Sequence, residues 1–405
     1  MHLSKYLLIH NRLTLAALGV LISIGCHQPA LESPLISHAG WMIKLPQEER
    51  QAVTNLLRTG QFTRLNQLYE DLQRQYENGL INDRDLTLQY QPFNNTSHEN
   101  ESLLNQWVEN SPASYPARLA RGLYYARIGV EHRGAKTTAN TPTAKIQDLH
   151  YYLDLSNKDL IDSLPLTSKP TVSVLRLLKS SKHRDGKQVN RKWLDYANRI
   201  DPKNYEVRRE FMITLAPRWG GSHDEMWAFL KECQDEHLQI EYMKALEARI
   251  YLDQAEEWCC ERHQPEKGLV FYRKVVSLLD GIDIKEKLDA LKGIVSNRDK
   301  SQSLMAMVPE IEAILRLSPN ESRILGYRGW VRFQQGRNLE GLKDYETAAE
   351  LGDAYSQLQF GKQLYYGMPP TVVPNREQAL IWIKKAASQG NEGARQFIAE
   401  VEPSK

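Results

Sequence analysis

Near the carboxyl end of the chain, Gly341, Tyr345, Ala348 and Gly352 return as Ala379, Ile383, Ala386 and Gly390, each 38 positions later. A fixed period that keeps small and bulky residues in the same phase belongs to stacked helix pairs. One pair cannot cover its own apolar face, so each needs a neighbour, and the chain grows by stacking. The expected fold class is all-α, an α-α superhelix that offers an extended surface for binding other molecules.

A chain of 405 residues exceeds what one compact core usually serves, so two helical segments or one continuous superhelix both suit it. Hydrophobic residues make up 41% and charged residues 25%, the balance of a folded, water-soluble chain. The formal net charge of +2 gives no electrostatic reason to expect a nucleic-acid partner, because phosphate binding needs a strong local excess of Lys and Arg.

The first residues stand apart from the fold. Lys5 and Arg12 form a basic leader and Leu13 to Gly25 an apolar run, which falls short of the roughly 20 residues that cross a hydrocarbon core. Residues 1–25 therefore read as a secretory signal. Ile22-Ser23-Ile24-Gly25-Cys26 resembles the lipobox of bacterial lipoproteins, although Ser23 stands where that family most often has Leu. The resemblance implies cleavage before Cys26, lipid attachment at Cys26, and a protein held on the bacterial envelope facing the periplasm. His27 after the Cys, in place of Asp, implies the outer membrane. Residues 26–44, with Pro29, Pro34 and Gly40, then read as a tether.

Beyond the tether, Phe62, Leu65, Tyr69, Leu72 and Tyr76 put one apolar stripe on a helix after Gly60. Gln91 to Glu101, with Pro92, Asn94, Asn95 and Ser97, is expected to be a loop. Leu103 and Trp107, then Ala117, Leu119, Leu123 and Tyr124, give another helix pair, broken by Ser111-Pro112 and Pro116. Gly134 to Thr143 lacks an apolar stripe and reads as a flexible excursion. Tyr151 to Leu178 is ambiguous, and the basic run Lys179 to Lys192 reads as a solvated loop, with an anionic ligand or lipid headgroup as the alternative. Residues 45–200 are thus expected to form an irregular helical domain.

From Trp193 the hairpin grammar is legible. Ala197 is a close-packing small residue, and Asp201-Pro202 is expected to open the next helix. Ser222 and Glu225 form a capping box after Gly220-Gly221, so a helix starts there. Leu269, Tyr272, Val276 and Leu279 mark a further pair, Leu304, Val308, Ile311 and Leu315 another, and Ser318-Pro319 closes residues 201–320. In residues 321–401, Leu325, Gly329, Gly336, Gly341, Tyr345 and Ala348 resemble the tetratricopeptide pattern. Ala354, Gly361, Tyr366-Gly367, Asn375, Ala379, Trp382, Ala386, Gly390 and Ala394 resemble a Sel1-like repeat, lengthened by Pro369-Pro370 to Pro374. The implied form is a TPR/Sel1-like helical solenoid. Leu119 to Gly134 together with Pro217-Arg218-Trp219-Gly220-Gly221-Ser222 and Met226 is similar to a bacterial family built on a domain of unknown function. On that glycine turn, Arg218 and Trp219 are the candidate contact residues, with a Trp wedged between helices as the alternative.

Cys233 with His237 and Cys259 with His263 are paired Cys-x-x-x-His sequences, each expected to set thiolate and imidazole on one helix face, a donor set that suits zinc. Two antiparallel helices turning near Leu238 to Glu241 would carry the two cysteines roughly 15 Å apart at 1.5 Å rise per residue, which argues against both zinc and a Cys233 disulfide. Cys259-Cys260 reads as a buried pair and Glu256-Glu257 as a solvated helix face. No G-x-S-x-G, Walker loop, H-E-x-x-H or GxGxxG is present. The expectation is a non-enzymatic, lipid-anchored scaffold with no catalytic residue, metal or cofactor, binding a protein or peptide. Periplasmic Sel1-like proteins also include toxin neutralisers, which makes an immunity role the alternative, and a Cys/His metal-dependent hydrolase comes third. Replacing Cys26 by Ala is expected to move the protein from the membrane fraction to the soluble periplasm, and fractionation that still finds it on membranes removes the anchor.

Overall fold

The structure, a computed structural model, describes residues 45–402 apart from positions 46, 95–96, 135–139, 184–185, 283, 299–302 and 371. The signal at 1–25, Cys26, the tether to Lys44 and the middle of the 134–143 excursion lie outside the described residues. The described residues belong to one compact unit. It is all-α, a run of helical hairpins that pack in chain order, and among the described residues the only β pairing is one bridge between Met368 and Val372.

The amino-terminal helices are α1 (Gln47–Arg58), α2 (Phe62–Glu77), α3 (Asp83–Gln89), α4 (His98–Asn110), α5 (Tyr115–Arg133), α6 (Thr143–Ser163), α7 (Thr171–Ser181) and α8 (Gly186–Ile200). The stripe on α2 turns inward, with Leu65, Tyr69 and Tyr76 buried. Gln91 to Glu101 is not simply the loop expected. Gln91–Asn94 makes a 3-10 turn that drives Pro92 and Phe93 into the core, and Ser97 caps α4 by accepting a hydrogen bond from the Asn100 amide. Phe93 sits 5.3 Å from the Tyr69 ring and 5.5 Å from Trp107, because tilted aromatic contacts at this range favour the cluster beyond area burial. The Trp107 indole donates to Asn66 Oδ1 at 2.9 Å, so burying this large ring leaves its one donor satisfied.

The ambiguous stretch from Tyr151 resolves into the end of α6, a short turn at Leu164–Leu166, and α7. The basic run is also corrected. Lys179 belongs to α7, Lys182 is mostly covered, and α8 starts at Gly186, so the run is the junction of two helices. A buried carboxylate, Glu210, draws Lys182 in, with Lys182 Nζ 2.6 Å from Glu210 Oε1, while Lys179, Arg191 and Lys192 stay exposed.

The middle helices are α9 (Tyr205–Thr214), α10 (His223–Asp235), α11 (Ile240–Glu256), α12 (Pro265–Leu278), α13 (Lys285–Ser296) and α14 (Val308–Leu317). Pro202 lies in the turn before α9 and does not open it. Asn204 does so, its side chain accepting from the Val207 amide at 2.9 Å. The capping residue Ser222 accepts from the Glu225 amide at 3.2 Å and starts α10 where expected. Such a cap contributes about 1 kcal/mol to helix stability.

The last helices are α15 (Ser322–Gln334), α16 (Asn338–Glu350), α17 (Ala354–Tyr366), α18 (Arg376–Ser388) and α19 (Glu392–Val401). The 38-residue period is now physical. Gly341, Tyr345 and Ala348 are the buried face of α16, and Ala379, Ile383 and Ala386 are the buried face of α18. Gly352 and Gly390 follow those helices with φ of 98° and 88°, the left-handed turn that sends the chain back. A Cβ on Gly341 would stand 2.7 Å from the Phe333 ring and 2.9 Å from the Gly329 carbonyl, so α15 and α16 approach at a distance only glycine allows.

The interior also carries ion pairs. Glu286 on α13 is fully buried and bonded to Arg209 on α9. Burial pushes the Glu286 carboxyl up, but the Arg209 guanidinium overrides this and holds it below the usual carboxylate range. A carboxyl that is more acidic in the folded state stabilises fully above its unfolded value and loses that contribution as pH falls through the folded value. Glu286→Gln should destabilise the protein at neutral pH by about 3–5 kcal/mol, since Arg209 is left buried and unpaired. The loss should shrink as pH falls below the unfolded carboxyl value, and urea midpoints that drop equally at every pH would remove this pair as the acid-sensitive element.

Candidate functional site

The turn Pro217–Trp219 links α9 to α10, and Gly220 follows it at φ 82°. Gly221 is needed for a different reason. A Cβ there would stand 1.9 Å from the Leu215 carbonyl oxygen, so the turn folds onto the end of α9 with no room for a side chain. The two glycines aim Arg218 at α11, where Arg218 Nε donates to Asp253 Oδ1 at 3.1 Å and Nη2 bridges Asp253 and Glu256. His223 Nε2 lies 3.0 Å from the other Asp253 oxygen, and its Nδ1 lies 3.7 Å from Glu257.

Asp253 is nearly fully buried, and Arg218, with His223 beside it, supplies the counter-charge and hydrogen bonds such a carboxylate needs. Glu256 and Glu257 are therefore not a free solvated face. Arg249, Asp253, Glu256 and Glu257 recur at i, i+4, i+7 and i+8, a spacing that already placed them on one side of α11. Trp219 is half-buried against the core, edge-on to His183 at 5.2 Å and with Lys182 5.7 Å above its ring. Arg218 and Trp219 thus stand together in a clasp that ties the turn to α11 and to the end of α7.

The Cys-x-x-x-His pairs do not form one-face sets. Cys233 lies in the last turns of α10, whereas His237 sits beyond the helix at φ 55°. Cys259 lies in a π-helical turn at Glu257–Glu261 and His263 follows it at φ 53°. In both cases the histidine is a left-handed residue after a helix end, which turns its imidazole off the cysteine's face. Burial pushes the Cys233 thiol up to about 12 and the Cys259 thiol up to about 11, so both remain protonated at neutral pH and are poor nucleophiles and ligands. Cys233, Cys259 and Cys260 are free thiols, and Cys260 is exposed, so Cys259-Cys260 is not the buried pair expected. Among the described residues no group of three His, Cys, Asp or Glu side chains is placed to hold a metal ion.

A groove lies elsewhere, in the carboxyl-terminal hairpins, with a volume of about 660 Å³. It runs across the starts of α15, α17 and α19, where Ser322, Asp353 and Asn391 stand in a row. Asp353 caps α17 by accepting from the Ser356 amide at 2.7 Å, and Asn391 caps α19 by accepting from the Ala394 amide at 3.0 Å. Arg323, Tyr327, Tyr355 and Gln389 complete the walls. Tyr355 is 40% exposed and packs its ring edge on Tyr345, so it is a fixed aromatic at the rim. Sequence reasoning missed this groove, although Gly352-Asp353 and Gly390-Asn391 are one repeated position and its outline was in the period.

Residues 155–253 match the profile of a domain of unknown function, DUF4034. The match contains the Pro217–Ser222 turn and ends at Asp253, the carboxylate that turn grips, while Leu119 to Gly134 falls outside it. Among solved structures the chain is similar to a Sel1 repeat protein from Oxalobacter formigenes, at 14% identity and a TM-score of 0.41 over 92% of this chain and 98% of that one. It is also similar to a protective antigen of uropathogenic Escherichia coli with an SLR fold, at 14% identity and a TM-score of 0.33 over 82% of each chain. No curated protein matches the chain. The assignment of a helical-repeat fold rests on the hairpins themselves.

Arg218→Met should lower stability by about 2 kcal/mol, because Asp253 loses its guanidinium while remaining buried. Denaturant unfolding measures it, and a loss no larger than that of an exposed Arg variant would remove the clasp.

Proposed function

We propose that the protein is a non-catalytic helical-repeat scaffold that binds a protein or peptide segment along the groove over α15, α17 and α19. The observation that carries this reading is that the groove is made from repeated positions at the starts of successive hairpins, with Arg323 and a 40% exposed Tyr355 in its wall. Three helix starts, one guanidinium and two tyrosines line an open trough, and a rigid aromatic beside an Arg is the usual anchor pair of a protein interface. The polar caps suit the backbone amides and carbonyls of an extended segment. The pushed-up cysteine thiols and the mutually engaged charges around Asp253 both argue against a reaction centre.

Lipid attachment at Cys26, and with it residence on the bacterial envelope with the hairpins facing the periplasm, completes the proposal. It rests on the leader and lipobox-like residues alone. Among the described residues no helix is long and apolar enough to cross a membrane.

A photo-crosslinking residue at Gln389 should capture a discrete partner in a saturable way from intact cells. Capture should be lost with Arg323→Glu, whose stability should stay within about 0.5 kcal/mol as expected for a surface change, and weakened by Tyr355→Ala. Non-saturable labelling of many proteins, unchanged in both variants, would overturn the proposal.

A further inference from the structure

A second cavity, of about 150 Å³, lies between α3, the turn at Gln91–Asn94, α5 and α7. Its polar lining is Thr87, Tyr90, Asn94, Arg176 and Lys179, and Leu123 and Leu175 supply aliphatic wall. Tyr90 is 1% exposed and its hydroxyl has no hydrogen-bond partner. Arg176 Nε is buried and likewise unpartnered, and among the described residues Arg176 forms no ion pair.

The charge balance around the cavity is one-sided. The carboxylate at hand is Glu210, and it is already engaged by Lys182 at 2.6 Å and by Lys179 at 3.9 Å. Of the neighbouring charges, Arg209 on α9 pairs with Glu286 on α13, Arg84 on α3 pairs with Glu206 on α9, and Asp83 on α3 accepts from Asn204. Three cations, Arg176, Lys179 and Lys182, therefore face one carboxylate. Burial pulls Arg176 down to about 10, the cost of holding a partly covered cation without enough counter-charge, and lowers Lys179 as well, although its side chain is still 46% exposed.

We propose that this cavity binds an aliphatic carboxylate, whose oxygens take the Arg176 guanidinium, the Lys179 ammonium and the Tyr90 hydroxyl while its carbon chain lies on Leu123 and Leu175. A guanidinium offers a planar fork that matches a carboxylate, and the missing acceptor for Tyr90 is what a carboxylate oxygen supplies. At about 30 Å³ per water, the cavity has the room of about five waters, which suits a short acid or the last residue of a polypeptide. The aliphatic wall sets the site against inorganic phosphate, which would leave that wall facing a strongly hydrated ion. This site uses none of the helices of the carboxyl-terminal groove and stands or falls apart from it.

Isothermal titration of the full-length protein in detergent tests the proposal with four probes: butyrate, an acetylated Ala-Val dipeptide with a free carboxylate, the same dipeptide as its amide, and inorganic phosphate. Binding of at least one carboxylate probe, with neither amide nor phosphate bound, is the expected result. Butyrate alone marks a free acid as the source, and the dipeptide acid marks a chain terminus. Arg176→Met should weaken binding by about tenfold or more, and Tyr90→Phe by about fivefold. Neither should lower the melting temperature of the unliganded protein, since each removes a buried group that has no partner. The Phe variant loses one oxygen only and keeps the test valid if the Met variant misfolds. No carboxylate binding at millimolar concentration, equal binding of phosphate, or affinity unchanged in both variants would each overturn the assignment.

Discussion

The structure depends on how closely consecutive helices approach. At Gly341 the backbone of α16 meets the Gly329 carbonyl of α15 with no space for a Cβ, and at Gly361 a Cβ would stand 3.0 Å from the Ala379 carbonyl of α18. Such contacts bring main chain against main chain, where interior packing is dense and any added atom must displace something. They also fix the hairpin's geometry, because a helix held this close has little freedom to slide. The left-handed glycines at 352 and 390 then return the chain at equivalent points, so the helix starts line up at one edge. The groove follows from that alignment: it is the space between regularly spaced helix starts.

Charge fastens the elements that glycine brings together. Arg121 on α5 grips Asp159 on α6 through two hydrogen bonds of 2.7 Å. Arg328 on α15 holds Asp344 on α16 at 2.9 and 2.8 Å, with Arg332 at 2.7 Å on the same carboxylate. Arg209 reaches Glu286 across the sequence, and Arg218 reaches Asp253. In each case a covered carboxylate on one helix meets an Arg fork from another element, and breaking such a pair is costly because one buried charge is left behind. Against this pattern Arg176 stands out, a guanidinium in a covered place with no carboxylate of its own. The contrast between arginines with and without a carboxylate partner separates the pairs that hold helices together from a cavity where Tyr90 and Arg176 leave bonding capacity unmet.

The all-α class, the start of α10 at the Ser222 cap and the two faces of the 38-residue period were legible because they depend on local spacing. A residue's phase on a helix is set by its neighbours three and four positions away. Phe93 was not legible, since nothing within its polar segment says that three aromatics from α2, α4 and Tyr90 wait to cover it. The basic run from Lys179 looked solvated for the same reason: Glu210, which draws Lys182 inward, lies a helix and a turn away. The Cys-x-x-x-His spacing misled because it assumed the helix continued to the histidine, and both helices end first.

The sequence by itself determined the helices, their inward faces and the glycines at which hairpins close and turn, because these follow from backbone sterics and short-range periodicity. Arg218 and Trp219 were visible as residues on a glycine turn. Only the tertiary structure decided that Arg218 closes on Asp253 and that Trp219 backs onto His183. It alone showed that three helix starts make a trough and that Tyr90 Oη and Arg176 Nε are buried without hydrogen-bond partners. Those outcomes depend on which distant groups share a volume, and burial and pairing energies are properties of that volume, not of the order of residues along the chain.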